Sequence, residues 1–232
     1  MGAVSISCHD LNNTYCLFGD IKGVLFDLDG TLIDSLELHI QAFQWIFQHE
    51  GIYVSREELE PLLGMTPQDI IGKFLKNKSK KELWDLAIKK EEHLFELTEH
   101  INPLPGVVDF LKELKINGVI TIVISSTHRS LVNRLLSTAG ITQYFDDMVS
   151  GDEITHGKPD PEPFLIGIKK TGLKKNNIIG IGDSIHDIKS AFRSGIKVIG
   201  VTTGKTPAEK LSEAGANCVA ENMSKLSVIR VF

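Results

Sequence analysis

Two aspartates, Asp27 and Asp29, close the apolar run Val24-Leu25-Phe26, and Gly30 and Thr31 follow at once. Side chains alternate along an extended strand, so the two carboxylates share a face. Further along, Ser125, Ser126 and Thr127 close a second apolar run. Lys158 stands ahead of a Pro-rich stretch, and Asp183 ends a third run with Asp187 four residues on. On a helix that last spacing returns to nearly the same side. Gathered at one edge of a sheet, these residues make a crater of carboxylates, hydroxyls and one ammonium. Clustered carboxylates repel one another unless a cation sits among them. Oxygen-only ligands favour a hard ion, and Mg²⁺ is typically held by one or two carboxylates together with phosphate and water. A lysine and helix N-terminal amides suit a phosphate. The chemistry this set supports is phosphoryl transfer, with one aspartate attacking phosphorus and its neighbour moving the proton.

The elements that must position these groups are legible from pattern. Short β-branched runs at 119–125, 146–150, 177–182 and 197–201 alternate with helical stretches, and 218–220 reads as a further strand. The helices stop at Gly118, Gly140, Gly172, Gly195 and Gly215, as expected for glycine just past a helix end. Apolar strands with helical crossovers predict an α/β fold, a Rossmann-like parallel sheet with helices on both faces. Such sheets bind ligands beyond the carboxyl ends of their strands. Residues 36–100 carry no strand pattern and read as a small α-helical insert after the first strand. Ser55–Glu58 and Ser79–Glu82 have capping-box spacing, and Thr66-Pro67 reads as a helix start. The stretch from Ser79 to His100 is expected to be one helix, with Leu83, Leu86, Ala87, Leu94 and Leu97 on its apolar side. The expected division is an extension at 1–20, an α/β core at 21–35 and 101–232, and the insert at 36–100. The extension is either loose or an added edge strand.

The net charge of −5 argues against nucleic acid as the main partner. Cys8, Cys16 and Cys218 are scattered and form no CxxC pair, so neither a disulfide framework nor a zinc site is expected. A reducing, cytoplasmic setting is the simplest reading. The first ten residues lack the basic and apolar regions of a secretory signal. Met1-Gly2 begins an acylation pattern that Ile6 breaks. No apolar stretch reaches the ~18 residues of a membrane span. Gly200 to Thr206 is one residue short between its glycines for a phosphate-binding P-loop, and reads as a turn before a helix.

The chain resembles the haloacid dehalogenase-like superfamily of phosphatases over roughly residues 21–225. "DLDGTLIDS" matches the first motif of that family, Ser125 the second, Lys158 the third and "GDSIHD" the fourth, in order and each beside the expected strand. The resemblance implies that Asp27 is the nucleophile and forms an aspartyl-phosphate. It implies that Asp29 protonates the leaving oxygen and then activates water, and that Ser125 and Lys158 hold phosphoryl oxygens. Mg²⁺ would be bound by Asp27, the backbone carbonyl of Asp29, and Asp183, with Asp187 supporting its water shell or orienting Lys158. The insert then corresponds to the cap that closes over substrate, and Thr31, Ser126, Gly64 and His128 are expected at the substrate, a small phosphorylated metabolite. His39 is expected to be a polar cap residue. The pattern is closest to phosphoglycolate phosphatase and β-phosphoglucomutase. The mutases carry a cap arginine for a second phosphate where Pro67 stands here, which favours hydrolysis over a mutase. A non-catalytic binding module on this fold would have lost a motif residue, and none is missing.

Overall fold

The computed structural model describes residues 4–11 and 15–230; Met1 and Gly2 of the broken acylation pattern lie outside them. In chain order the strands and helices are β1 (Val4–His9), β2 (Tyr15–Ile21), β3 (Gly23–Asp27), α1 (Leu36–His49), α2 (Arg56–Leu59), α3 (Pro67–Phe74), α4 (Lys80–Glu96), α5 (Val107–Ile116), β4 (Ile120–Ile124), α6 (Arg129–Thr138), β5 (Asp147–Val149), α7 (Glu162–Thr171), β6 (Ile178–Gly182), α8 (Ile185–Ser194), β7 (Lys197–Val201), α9 (Ala208–Glu213), β8 (Cys218–Ala220) and β9 (Leu226–Arg230).

Six of the strands form a parallel sheet in the order β5-β4-β3-β6-β7-β8. Both faces are covered, which is why the strands are apolar throughout rather than alternating. Val24, Phe26 and Val123 pack on one side with Phe110 and Leu135. Leu25, Ile122 and Ile124 pack on the other with Phe164 and Ile188. The strand order reverses direction at β3, so the crevice beyond Asp27 lies at the switch point where such sheets bind ligands.

Helices α1 to α4 share a separate apolar cluster that includes Ile40, Phe43, Phe47, Ile70 and Leu86. Ser55 and Ser79 both close capping boxes, and the Thr66 side chain caps α3 with Pro67 in its first turn. Helix α4 ends at Glu96 rather than at His100. Leu97 and Thr98 bond back to Leu94 and Phe95 in a tight turn, and the chain re-enters the core where Asn102 O accepts from Asp34 N.

Strands β1 and β2 are not members of the parallel sheet. Strands β2, β1 and β9 form a second, antiparallel sheet in that order, with Ile6 opposite Val228 and Cys8 opposite both Cys16 and Leu226. This sheet also corrects the reading of the cysteines. Cys8 and Cys218 form a disulfide with Cα atoms 6.8 Å apart, across 210 residues of sequence. Spacing along the chain carries no sign of it, because the bridge depends on the chain after β1 running beside β8, where Leu11 N donates to Val219 O. Among the described residues no helix is long and apolar enough to cross a membrane.

Candidate active site

Asp27 is the last residue of β3, and Asp29 lies in the turn just beyond it. That turn requires glycine at position 30. Gly30 has φ +86°, and a Cβ there would lie 2.7 Å from Asp183 Oδ2. Asp183 follows β6 directly, and Thr31 Oγ1 donates to its Oδ1 at 2.6 Å. Asp187 sits in the first turn of α8, where Ser184 caps the helix and donates to Asp187 Oδ2. Lys158 completes the group. Its Nζ lies 2.5 Å from Asp27 Oδ1, 2.7 Å from Asp187 Oδ1 and 2.9 Å from the carbonyl oxygen of Ile124.

Three buried carboxylates thus face one buried ammonium, and the proton affinities follow. Burial and Asp187 raise the pKa of Asp27 to about 7, against the opposing charge of Lys158. Burial, Asp27 and Asp187 push Asp183 up strongly. Lys158 is held charged: burial works against it, but Asp187 and Asp27 raise its pKa above the usual lysine value.

Asp29 lives in a different field. Its Oδ1 accepts from Ser35 Oγ at 2.5 Å and from His39 Nε2 at 3.1 Å. Behind His39, Lys90 Nζ lies 2.9 Å from Nδ1 and 4.4 Å from the Phe43 ring centroid. An ammonium can only donate, so Nδ1 accepts and Nε2–H is the donor to Asp29. Burial alone would raise the pKa of Asp29, but His39, Ser35 and Lys90 together hold it below the usual carboxylate value. Two carboxylates two residues apart are therefore driven in opposite directions, and before any cation is bound Asp29 is the more readily ionised of the two. Sequence reading left His39 as a generic cap residue and missed Lys90. The signal was present: Lys90 falls three residues after Ala87 and four before Leu94, inside the apolar stripe of α4.

A narrow cleft, partly open to solvent, lies over Asp27 and Asp29. Its wall includes Phe43, Gly64, Met65 and Ile70 from the insert, and Ser126 and Thr127 from the core. The two parts are docked by hydrogen bonds from Ser126 Oγ to Gly64 O, from the amide of His128 to Glu91, and between His186 and Pro61 O. Ser125 is buried at the end of β4, its hydroxyl accepting from Thr127 N. The structure thus brings Asp27, Asp29, Thr31, Ser125, Ser126, Gly64, Lys158, Asp183 and Asp187 together. It does not bring His128, which caps α6 and lines a neighbouring pocket with Trp84 and Asp152.

A family model described as haloacid dehalogenase-like hydrolase matches residues 24–201, the span that contains every motif residue of this site. The chain belongs to the haloacid dehalogenase-like hydrolases. The hydrolase is 31% identical over 209 residues to the pyrophosphatase PpaX of Bacillus velezensis, covering 89% of this chain and 94% of that one. It is 29% identical over 215 residues to phosphoglycolate phosphatase of Yersinia pestis, with 90% and 93% covered. Among solved structures, CbbY from Rhodobacter sphaeroides in complex with phosphate superposes with a TM-score of 0.79 at 25% identity, covering 88% of this chain and 95% of that one. A putative β-phosphoglucomutase from Bacteroides vulgatus also gives 0.79, at 28% identity, with 88% and 85% covered. The enzyme is a phosphatase of this family.

The carboxylates of this hydrolase fit a divalent cation. Oxygens of Asp27, Asp183 and Asp187 lie within 4.8 Å of one another, all buried. Among the described residues, Asp187 Oδ1 has the ammonium of Lys158 as its one close partner. Such an all-oxygen set with one ammonium is short of positive charge, and it suits a hard ion. The side chain of Asp29 is turned away to Ser35 and His39 and is not in the group.

Proposed function

We propose that this enzyme hydrolyses a small phosphate monoester, such as phosphoglycolate or a sugar phosphate, in a Mg²⁺-dependent reaction through an aspartyl-phosphate on Asp27. The observation that carries the reading is the buried group at one strand end, where Lys158 Nζ lies 2.5 Å from Asp27 Oδ1 and oxygens of Asp27, Asp183 and Asp187 lie within 4.8 Å of one another. Asp27, Asp183 and Asp187 would hold Mg²⁺, which would offset the carboxylate and phosphoryl charge when bound.

Lys158 and the Ser125 hydroxyl would bind phosphoryl oxygens beyond the carboxyl ends of β3 and β4, next to the cleft that Ser126 and Thr127 line. An Asp27 carboxylate oxygen attacks phosphorus, and the bond to the leaving oxygen breaks as Asp29 gives that oxygen a proton. Asp29 can carry the proton because a bound phosphate brings negative charge that counteracts Lys90 and His39 and raises its proton affinity. After the alcohol leaves, Asp29 is the carboxylate its surroundings favour. It takes a proton from water as the water oxygen attacks phosphorus, which frees Asp27 and inorganic phosphate. Docking of the insert over the cleft excludes bulk water from the first step.

The cleft wall supplied by the insert favours hydrolysis of a monoester. Leu63, Met65, Pro67 and Ile70 line it, and among the described residues no lysine or arginine does. A bisphosphate in a mutase, or the highly charged leaving group of pyrophosphate, would meet this apolar wall without a cation. A cytoplasmic setting belongs to the same reading, because charged phosphate esters do not cross a bilayer unaided.

The test is phosphate release from an aryl phosphate with Mg²⁺ and with chelator, for the wild type and Asp27→Asn. Release that needs Mg²⁺ and is lost in the variant supports the reading, and a panel of phosphorylated metabolites then identifies the substrate. Normal release by Asp27→Asn removes Asp27 from the mechanism.

A further inference from the structure

Where the second sheet meets β8, the three cysteines of the chain come together. Cys8 and Cys16 are direct partners across β1 and β2, so their side chains share a face. Cys218 opens β8 and is bonded to Cys8. A carboxylate oxygen of Asp10, Cys16 Sγ and Cys218 Sγ lie within 4.8 Å of one another. Asp10 is positioned there by an Oδ2 that accepts from Val219 N at 3.0 Å. Cys8 and Cys218 are buried, whereas Asp10 and Cys16 are partly open to solvent and give the cluster a way in.

We propose that this cluster, once its bridge is reduced, is a second metal site that takes one Zn²⁺ on Cys16, Cys218 and Asp10, with the Cys8 thiolate freed from Cys218 as the fourth ligand. Three thiolates and one carboxylate match the four tetrahedral ligands that zinc accepts, and sulfur selects a soft or borderline ion over Mg²⁺. The aspartates beyond β3 have the reverse preference, so donor type sorts the two metals. The sites are also apart in the fold. Cys218 lies on β8, the edge strand of the parallel sheet, and Asp27 ends β3, with β6 and β7 between them. The two states of the cluster interconvert by thiol–disulfide exchange with a low-molecular-mass thiol. Two such thiols are oxidised to one disulfide, and Cys8 and Cys218 each gain a proton and an electron. Zinc then displaces three protons from the three thiols.

The test uses the full chain, stripped of metal and titrated with Co²⁺. A phosphine reduces one sample, taking oxygen from water as the bridge takes up two hydrogens, and a second sample keeps its bridge. The reduced protein is expected to develop a near-ultraviolet thiolate-to-cobalt charge-transfer band that saturates at one ion per chain and is bleached by Zn²⁺. The bridged protein is expected to lack it. An all-oxygen site cannot produce this band, so Asp27→Asn retains it whatever the fate of the phosphatase reading. Cys16→Ser and Cys218→Ser are expected to lose the saturable band while releasing phosphate as the wild type does. No band in the reduced wild type overturns the proposal, as does a band that survives Cys16→Ser at the same stoichiometry. The wild-type comparison needs no variant to fold.

Discussion

Lys90 is fully buried in α4, and the consequence can be measured through pH. Burial lowers its pKa from 10.5 to about 8. Below about pH 8 the lysine is charged in both folded and unfolded chains, and the fold bears the cost of burying the charge. Between about pH 8 and 10.5 the unfolded chain holds more proton than the folded one, so stability rises with pH. At about 1.4 kcal/mol for each tenfold difference in proton affinity, the two values correspond to about 3 kcal/mol. Lys90→Met keeps the length of the side chain and removes the titration. The stability of the variant relative to the wild type is therefore expected to be highest at neutral pH and to fall by about 3 kcal/mol by about pH 10.5. Urea denaturation of both proteins across this range, followed by tryptophan fluorescence, reads it directly. Trp45 and Trp84 both lie in the helical insert, on α1 and α4. Groups common to both proteins cancel in the difference. Parallel stability curves would refute the reasoning, because they would mean that the ammonium of Lys90 is no worse solvated in the fold than in the unfolded chain. The same variant is expected to lose turnover by roughly tenfold or more, since His39 no longer has the donor that fixes its tautomer toward Asp29.

Three further outcomes follow from the geometry of the site. Gly64 has φ +96°, and a Cβ there would lie 2.7 Å from Ser184 Oγ. Gly64→Ala is expected to cost about 1 kcal/mol or more in stability and to raise KM while lowering kcat; unchanged kinetics would mean that the docked arrangement is not the one that turns over. Thr31→Val removes the donor to Asp183 at nearly constant shape. The Mg²⁺ concentration for half-maximal phosphate release should rise about tenfold, and an unchanged metal curve would take Thr31 out of the site's support. Asp29→Asn should slow poor leaving groups far more than good ones in a series of aryl phosphates, and equal slowing throughout would contradict its role as acid.

The catalytic edge was legible because its information is local. Asp27 and Asp29 share a face by strand alternation, Gly30 announces a turn, and Asp187 follows Asp183 at helical spacing. Glycine stops and capping boxes gave the helices for the same reason. Groups fixed by docking were not legible. His39 and Lys90 stand 51 residues apart and meet only when α4 packs on α1, although a lysine within an apolar stripe signalled a buried charge. His128 was expected at the substrate because it follows Ser125 closely, but the helix it caps directs it to Ser130 and Asp152. The second sheet is not legible because β2 alternates poorly, with exposed Leu17, Gly19 and Asp20 in its seven residues. Antiparallel pairing of β1 with a strand near residue 230 leaves no trace in either segment alone.

That pairing also sets an order of events during synthesis. Strand β1 is the middle strand of its sheet, and one of its partners, β9, is made last among the described strands. At a ribosomal rate of about 5–20 residues per second, the second edge of β1 stays open for roughly 10–40 s after it emerges. Throughout that interval Val4, Ile6 and Cys8, all buried in the finished fold, belong to an exposed edge that other nascent chains could pair with. The phosphatase core can assemble around β3 to β8 in the meantime. The segment that carries β1 must therefore wait for β9, and the protein's yield in a cell depends on what shields β1 while it waits.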